Sequence, residues 1–169
     1  MPATDLETAP DAPHADDAPA DAAPALYLPP SRLDLAFNRV VGRCTRMGLS
    51  VWGSRELRVP GRRTGQVRST VVNLLVVGEK RYLVAPRGTT DWVRNLRAAD
   101  HAELRVGRRV ERIRAVELDD DDKPPVLRPY LERWAFEAGR FFGGVGADAT
   151  DADLRAIADH HPVFEVVVA

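Results

Sequence analysis

The stretch of the chain with the most chemical potential is residues 60–68, Pro-Gly-Arg-Arg-Thr-Gly-Gln-Val-Arg. Its two glycines, Gly61 and Gly65, permit a tight turn that exposes backbone N–H groups. The same stretch carries one hydroxyl group and three guanidinium groups, on Thr64, Arg62, Arg63 and Arg68. Backbone amides and arginine forks together bind phosphate or carboxylate groups. The stretch is therefore a candidate anion site, and its alternative interpretation is a solvated hairpin turn.

A second basic turn, Pro86-Arg87-Gly88-Thr89-Thr90, lies between a predicted strand and a predicted helix. The start of a helix also favours anions, because its first N–H groups have no partner within the helix. The alternative interpretation of these residues is an ordinary turn in which Thr90 caps the helix.

Two further side chains are candidates for lining a pocket. Trp92 lies four residues before Leu96 on one helix face, which suits either a ligand pocket or the core. Asn73 is a polar residue inside an apolar strand, and a buried amide must find a hydrogen-bond partner. That partner is either a ligand or the backbone.

Several kinds of site are excluded by what the sequence lacks. The four histidines, at positions 14, 101, 160 and 161, show no metal-ligand spacing, so no metal site is predicted. The nucleophile elbow, the dinucleotide-binding glycine motif and the P-loop are also missing. Few aromatic residues lie among the many arginines of residues 55–114, so we expect no nucleic-acid partner.

The elements that position these groups follow from hydrophobic periodicity. A period of two residues predicts strands over 55–60, 66–77, 81–85, 102–106, 109–118 and 163–168. The fifth of these changes phase between Val110 and Ile113, which predicts a β-bulge. Helices are expected after Thr90, after the Pro124-Pro125 pair and after Thr150. This is a mainly β fold with flanking helices, a six-stranded antiparallel barrel.

The distribution of charge divides the chain into segments. The whole sequence has a net charge of -1, but residues 1–25 hold six acids and no Lys or Arg, whereas residues 55–114 hold 15 Lys+Arg and six acids. We predict a disordered acidic Ala/Asp/Pro tail over 1–25, an N-terminal amphipathic helix over 26–54 and a barrel domain over 55–169. The single Cys44, the missing signal peptide and the lack of an apolar run of about 20 residues favour a cytoplasmic location.

Four stretches together resemble the deazaflavin-dependent nitroreductase family of actinobacterial oxidoreductases. They read GRRTGQVR at 61–68, STVVN at 69–73, LVAPRG at 83–88 and DWVRNLRAA at 91–99. The resemblance extends from about position 55 to position 118. It implies a split β-barrel of the FMN-binding type and the cofactor F420.

The resemblance also implies roles for individual residues. The basic turn and Arg87 match positions that hold the phosphate and acidic tail of F420. Val71 and Asn73 match positions facing the deazaflavin ring, and Trp92 and Asn95 match a motif lying against the cofactor. The candidate cofactor-binding residues are Arg62, Arg63, Thr64, Gly65, Arg68, Val71, Asn73, Pro86, Arg87, Trp92 and Asn95. Related proteins place several tyrosines over the substrate in the C-terminal helix, where this chain offers only Tyr130 as a candidate for substrate contact.

The implied reaction is transfer of a hydride from reduced F420 to an electrophilic acceptor, namely a quinone, a nitro compound or an activated alkene. Two alternatives stay open on the sequence. One is a non-catalytic protein that binds F420, a flavin or a lipid on the same barrel, and the other is an FMN-dependent reductase. A homodimer and peripheral contact of the N-terminal helix with an anionic membrane are further expectations.

Overall fold

The computed structural model describes residues 53–169, so the predicted tail and N-terminal helix lie outside the described residues. Strands alternate with short connections over most of this range, and the helices occupy the gaps. The strands are β1 (Ser54–Pro60), β2 (Val67–Val77), β3 (Lys80–Val84), β4 (Ala102–Val106), β5 (Arg109–Glu117) and β6 (Val163–Val168). The α-helices are α1 (Asp91–Ala98), α2 (Pro124–Ala138) and α3 (Asp151–Ala156). Single 3-10 turns span Asp120–Asp122, Gly139–Phe141 and Ala158–His160.

The strands form a closed antiparallel barrel in the order β1-β2-β3-β6-β5-β4. Two of its hairpins turn at Gly78 and Gly107, which have positive φ angles of 59° and 55°. That conformation matches the twist of the flanking strands and is one that glycine adopts without strain. The sequence prediction of a mainly β, six-stranded antiparallel barrel with flanking helices is confirmed.

One face of every strand is directed into the barrel. Leu57, Leu83 and Ile113 belong to this interior cluster and are completely buried. Helix α1 adds Val93 and Leu96 to the same cluster, so the helix is held against the barrel by its own apolar stripe. The position of α1 is therefore set by the barrel core.

A second cluster lies on the outer face of β2 and β3, under α2. Leu127, Leu131 and Trp134 of the helix pack there with Leu75 and Val84 of the strands. Leu74, next to Leu75, belongs to the barrel interior instead, as expected for a strand whose side chains alternate between faces. Both faces of the middle of β2 are thus covered, which explains its apolar run, although Val76 near its end is 55% exposed.

Two local predictions from sequence need correction. The prediction of a β-bulge in β5 is wrong, because β4 and β5 pair in unbroken register from Ala102↔Ile113 to Val106↔Arg109. Val110 faces solvent and is 48% exposed, so the phase change reflects an outward-facing valine. Thr90 stands at the N-cap of α1 but makes no side-chain capping bond. Thr150, by contrast, forms a complete capping box with Asp153 at the start of α3.

Within residues 53–169, no helix combines the length and the apolar character needed to cross a membrane.

The barrel interior should dominate stability. We expect Leu83→Ala, which leaves a cavity at a fully buried site, to lower the free energy of unfolding by about 2–5 kcal/mol. Val76→Ala on β2 is the matched control and should change it by less than about 0.5 kcal/mol. Urea unfolding followed by circular dichroism measures both values, and similar losses in the two variants would contradict the assignment of the core.

Candidate functional site

A cleft of about 940 Å³ opens on the outer surface of the barrel, beside the core under α2. Its floor includes Ser69, Val71 and Asn73, which are every second residue of β2 and therefore lie on the same outward face of the strand. Leu75 is the next residue on this face, and it is covered by α2. The β1–β2 turn, the β3–α1 loop, the start of α1 and the residues at the end of α2 form its walls. The candidate residues from several distant stretches are therefore brought to one place.

All of the predicted cofactor-binding residues except Gly65 line this cleft. Gly65 instead allows the backbone conformation of the β1–β2 turn. Its φ angle is +68°, and its N–H donates a hydrogen bond to the Gly61 carbonyl at 2.8 Å. A second bond closes the turn, from the Gly61 N–H to the Gln66 carbonyl at 2.9 Å. A Cβ atom at Gly61 would lie only 3.0 Å from that carbonyl oxygen, so a side chain there would push the turn open.

The β1–β2 turn is tied to α1 through Asn95. The Oδ1 atom of this buried residue accepts from the Arg62 backbone N–H at 3.2 Å and from Arg62 Nη1 at 2.9 Å. Both terminal nitrogens of Arg62 also lie 3.3 Å from Asp91 Oδ1. Arg62 lines the cleft, but its guanidinium group is directed at α1, so it fixes the turn in place.

The neighbouring arginines have a different environment. Arg63 and Arg68 are exposed on the cleft, and within residues 53–169 neither has a carboxylate partner. The charged residues that line the cleft are five arginines and two carboxylates, namely Arg62, Arg63, Arg68, Arg87, Arg140, Asp91 and Glu137. A concave surface with this excess of positive charge concentrates anions.

The β3–α1 loop adds hydrogen-bonding groups. Thr90 lies on the cleft directly before α1, and its hydroxyl oxygen is buried with no hydrogen-bond partner among the described residues. The N–H groups of the first turn of a helix also lack partners within the helix. A buried hydroxyl without a partner is costly, so this corner of the cleft suits a polar ligand atom.

The predicted ring-binding residues provide a partly apolar surface. Val71 and Trp92 line the cleft, and the Trp92 ring is held against Phe164 of the barrel core at a centroid distance of 5.9 Å. The Asn73 side chain lies on the same surface and makes no hydrogen bond to the residues that the structure describes. An apolar floor with one polar amide suits a planar ring that has hydrogen-bonding edges.

Tyr130 also reaches the cleft, although only 2% of it is exposed. Its ring packs against Trp134 and Phe142, with centroid distances of 5.0 and 6.1 Å. Burial raises the pKa of Tyr130, with a smaller contribution from the negative charge of Glu137. The phenol therefore stays protonated and offers a hydrogen-bond donor at neutral pH.

Sequence reasoning missed the wall formed by residues 136–141. Trp134 has non-helical backbone angles (φ -129°, ψ 17°), so α2 is kinked there and the following residues turn towards the cleft. Phe141 is half-buried and lines the cleft together with Phe136 and Arg140. Helical periodicity alone gives no signal for a kink at this residue.

His161 was missed as well. It is 3% exposed, and its ring stacks on Phe142 at 4.1 Å with an interplanar angle of 25°. Burial is the main cause that lowers the pKa of His161 to about 4, and the positive charges of His160 and Lys123 act in the same direction. The backbone of Ala85 and Pro86 lies next to the imidazole, so His161 supports the loop that carries Arg87.

A closed six-stranded antiparallel barrel with helices on its outside defines the split-barrel fold class. Three solved structures are similar to this chain. One, described as a domain-swapped dimer, is 16% identical, with a TM-score of 0.51 over 81% of this chain and 100% of that chain. An F420-H2 dependent reductase (FDR-A) is 16% identical, with a TM-score of 0.49, and the match covers 68% of this chain and 94% of that chain. An FAD-binding protein from Mesorhizobium loti is 15% identical, with a TM-score of 0.45, and the match covers 75% of this chain and 88% of that chain.

The model of the F420H(2)-dependent quinone reductase family matches residues 37–137, which is more than half of the chain. The protein therefore belongs to this family, and it is an oxidoreductase that uses F420. The resemblance found in the sequence is confirmed, and the family favours F420 over FMN and a reductase over a non-catalytic binder. No curated protein matches the chain.

The residues of the cleft fit an anionic cofactor. Arg63 and Arg68 present guanidinium groups that no described carboxylate neutralises, and the Thr90 hydroxyl is buried without a partner among the described residues. These groups would lie unused in a cleft built only for an apolar molecule.

The bond between Asn95 and the β1–β2 turn can be tested directly. Asn95→Ala removes the acceptor of two Arg62 donors, so we expect a loss of about 1–3 kcal/mol in the free energy of unfolding and faster hydrogen exchange at the Arg62 amide. Asp91→Asn, at a largely exposed site, should cost less than about 1 kcal/mol and leave that amide protected. An unchanged exchange rate in Asn95→Ala would mean that the turn holds its shape without α1.

The burial of His161 predicts a dependence of stability on pH. Its pKa is about 4 in the folded protein, against an ordinary value of 6.5 in the unfolded chain, so the unfolded chain takes up this proton first as the pH falls. The contribution of His161 is therefore complete above about pH 6.5 and declines towards pH 4, by up to about 1.4 kcal/mol per pH unit. We expect His161→Gln to flatten the dependence of the unfolding free energy on pH over this window, whereas His160→Gln, which removes only the smaller contribution of a neighbouring charge, should flatten it much less.

Proposed function

We propose that this protein transfers a hydride from reduced F420 to a small electrophilic acceptor, which is a quinone, a nitro compound or an activated alkene. The observation that carries the proposal is the pair of arginines without a described carboxylate partner, Arg63 and Arg68, beside a partly apolar floor in one cleft. A phosphate-bearing ring cofactor needs both features side by side.

The anionic arm of the cofactor would be held by the β1–β2 turn. Arg63 and Arg68 would supply charge-assisted hydrogen bonds, and Thr64 would add its hydroxyl group. Arg87 and Pro86, on the neighbouring loop, would contact the same arm further along. Arg62 would act as a positioning residue through Asn95 and Asp91, because its donors are already engaged there.

The ring would lie over β2 and against Trp92. Val71 would contact its face, and the Asn73 amide and the Thr90 hydroxyl would be available to its polar edges. When bound, the cofactor supplies the hydride, while the protein orients the ring and excludes water from one side. Asn95 stabilises this arrangement indirectly by holding the turn.

The acceptor would occupy the part of the cleft nearest α2. Tyr130 reaches this region as a protonated phenol in an aromatic surrounding, so it can donate a hydrogen bond to a carbonyl or nitro oxygen. An oxygen that gains electron density during reduction would be stabilised by such a donor. Tyr130 is the substrate-contact residue of the proposal.

Three further expectations stay predictions. A homodimer is supported by one similar barrel that is described as a domain-swapped dimer, at 16% identity. A cytoplasmic location has only sequence support. Membrane contact through the N-terminal helix involves residues outside the described part of the chain.

Binding measurements test the proposed cofactor site. We expect Arg63→Ala and Arg68→Ala each to weaken F420 binding by about 1–3 kcal/mol, roughly 5- to 150-fold in Kd. The loss should shrink as salt is raised, because screening weakens exposed charge pairs. Titration of F420 fluorescence at two salt concentrations gives these values, and menadione added to the complex with reduced F420 reports turnover.

Arg155→Ala is the matched control, since it removes an exposed arginine on α3 that does not line the cleft. It should bind F420 as the wild type does. Wild-type affinity in both Arg63→Ala and Arg68→Ala would place the cofactor's phosphate elsewhere, and a bound cofactor that reduces no acceptor would remove the proposed reaction.

A further inference from the structure

We propose that the acidic tail of this chain, residues 1–25, occupies the anion site of the cleft when no cofactor is bound, and that it competes with F420 for Arg63 and Arg68. The proposal rests on the proposed function, because the competitor is the cofactor of that reaction. It makes the charge of the tail a determinant of the affinity for F420.

The two arginines of the anion site have no acid beside them in the described part of the chain. Arg63 and Arg68 are exposed on the cleft, and neither forms an ion pair within residues 53–169. The carboxylate at the start of α1, Asp91, is already shared by Arg62 and Arg94, with N–O distances of 3.3 and 3.6 Å. An acid that pairs with Arg63 or Arg68 therefore comes from a ligand or from residues 1–52.

The tail supplies acids of this kind in excess. Residues 1–25 contain six Asp and Glu and no Lys or Arg, so no basic side chain within the tail neutralises them. Carboxylates bind guanidinium groups through paired, charge-assisted hydrogen bonds. The tail and the β1–β2 turn are thus complementary in charge.

The described part of the chain begins beside the cleft. Ser54, the first residue of β1, pairs with Asn73 on the cleft floor, and the Gly53 carbonyl accepts a hydrogen bond from the Leu74 N–H at 3.1 Å. A Cβ atom at Gly53 would lie 3.7 Å from the Trp134 ring, where α2 is kinked. The chain that precedes residue 53 is therefore attached at the border of the cleft.

The length of the chain allows the tail to reach the two arginines. Arg68 and Asn73 lie on the same strand, about 17 Å apart at a rise of about 3.4 Å per residue. The 27 residues from 26 to 52 lie between the tail and the barrel. A chain of this length spans about 40 Å as a helix and about 90 Å when extended, and both values exceed the distance required. Tethering also raises the effective concentration of the tail to about the millimolar range, so weak contacts are sufficient.

A second set of exposed arginines without a described ion pair lies on the outward face of β5, at Arg112 and Arg114. This strand is three places from β2 in either direction around the closed barrel, so its outward face is on the opposite side from the cleft floor. Charges in a concave site act together on an anion more strongly than charges on an open strand face. The tail is also attached on the side of β1 and β2, which favours the cleft as its binding site.

The tail and the cofactor need the same guanidinium groups, so they cannot both be held there. F420 adds contacts between its ring and the floor of β2, and it displaces the tail. The measured affinity for F420 is then its intrinsic affinity reduced by the fraction of molecules in which the tail occupies the site.

The charge of the tail can be removed in the full-length protein. The neutral-tail variant carries Asp5→Asn, Glu7→Gln, Asp11→Asn, Asp16→Asn, Asp17→Asn and Asp21→Asn. At low salt we expect it to bind F420 about three- to tenfold more tightly than the wild type, as for a tail that occupies the site in about 70–90% of molecules. The difference should disappear in about 0.5 M salt, because screening weakens the contacts of the tail. Equal affinity at low salt would overturn the competition.

Matched arginine variants separate docking from a general effect of charge. In an Arg63→Ala background, neutralising the tail should change the Kd of F420 by less than about twofold, since one of the two arginines that hold the tail is gone. In an Arg112→Ala background, the gain of about three- to tenfold should persist. Equal gains in the two backgrounds would show that the tail acts through its overall charge, which would overturn docking at the β1–β2 turn.

Paramagnetic relaxation measures the contact without any reaction. A nitroxide label is attached at Ala12→Cys in full-length protein that also carries Cys44→Ser. We expect the amide signals of Thr64 and Gly65 to weaken and that of Arg112 to keep its intensity. Saturating F420, or the neutral-tail substitutions, should restore the weakened signals. Unchanged signals at Thr64 and Gly65 would overturn the proposal, and so would weakening that arises only between labelled and unlabelled copies, which would assign the tail to a second molecule.

Failure of the proposed function gives a different result. In that case neither the wild type nor the neutral-tail variant would bind F420, whereas the relaxation experiment would still report whether the tail contacts the turn. Weakened Thr64 and Gly65 signals that the neutral-tail substitutions restore would support docking of the tail even then.

Discussion

The site depends on the hydrogen bonds that Asn95 accepts from Arg62. They join the β1–β2 turn to α1, and α1 is itself anchored by Val93 and Leu96 in the barrel core. A basic turn without such a tie would sample many conformations and lose entropy on binding a ligand. Because Arg62 is engaged by the helix, the charge that meets a ligand comes from its neighbours. The exposed β1–β2 turn is thereby held in a fixed position relative to the barrel.

The cleft follows from two features of the strands and helices around it. The outward face of β2 passes from the exposed Ser69 through the half-buried Val71 to Leu75, which is covered by α2. The helix covers only part of this face, and its kink at Trp134 sends residues 136–141 across the open end. The result is a groove in which apolar strand residues lie between arginines from separate loops.

Much of this arrangement could be predicted from the sequence. All six strands and the helices after Thr90, Pro124 and Thr150 have signatures in hydrophobic period or capping, because these are short-range properties. The family resemblance rests on contiguous motifs, and all its predicted cofactor residues but Gly65 line the cleft. The predicted bulge at Val110 failed because an exposed valine mimics a change of phase. His161 gave no signal, since its burial depends on Phe142 and the 85–86 backbone.

The arginine-rich turn between Gly61 and Gly65 was determined by the sequence as a candidate anion site, and the family resemblance of its motif added a cofactor class. Composition and spacing reach as far as the anion site because turn chemistry and charge are local. Only the tertiary structure decided which arginine faces a ligand and which one holds the turn, since Asn95 is 33 positions from Arg62 along the chain. It also decided that Arg140 and Phe141 meet Arg87, because closure of the barrel and the bend in α2 are set by packing between distant residues.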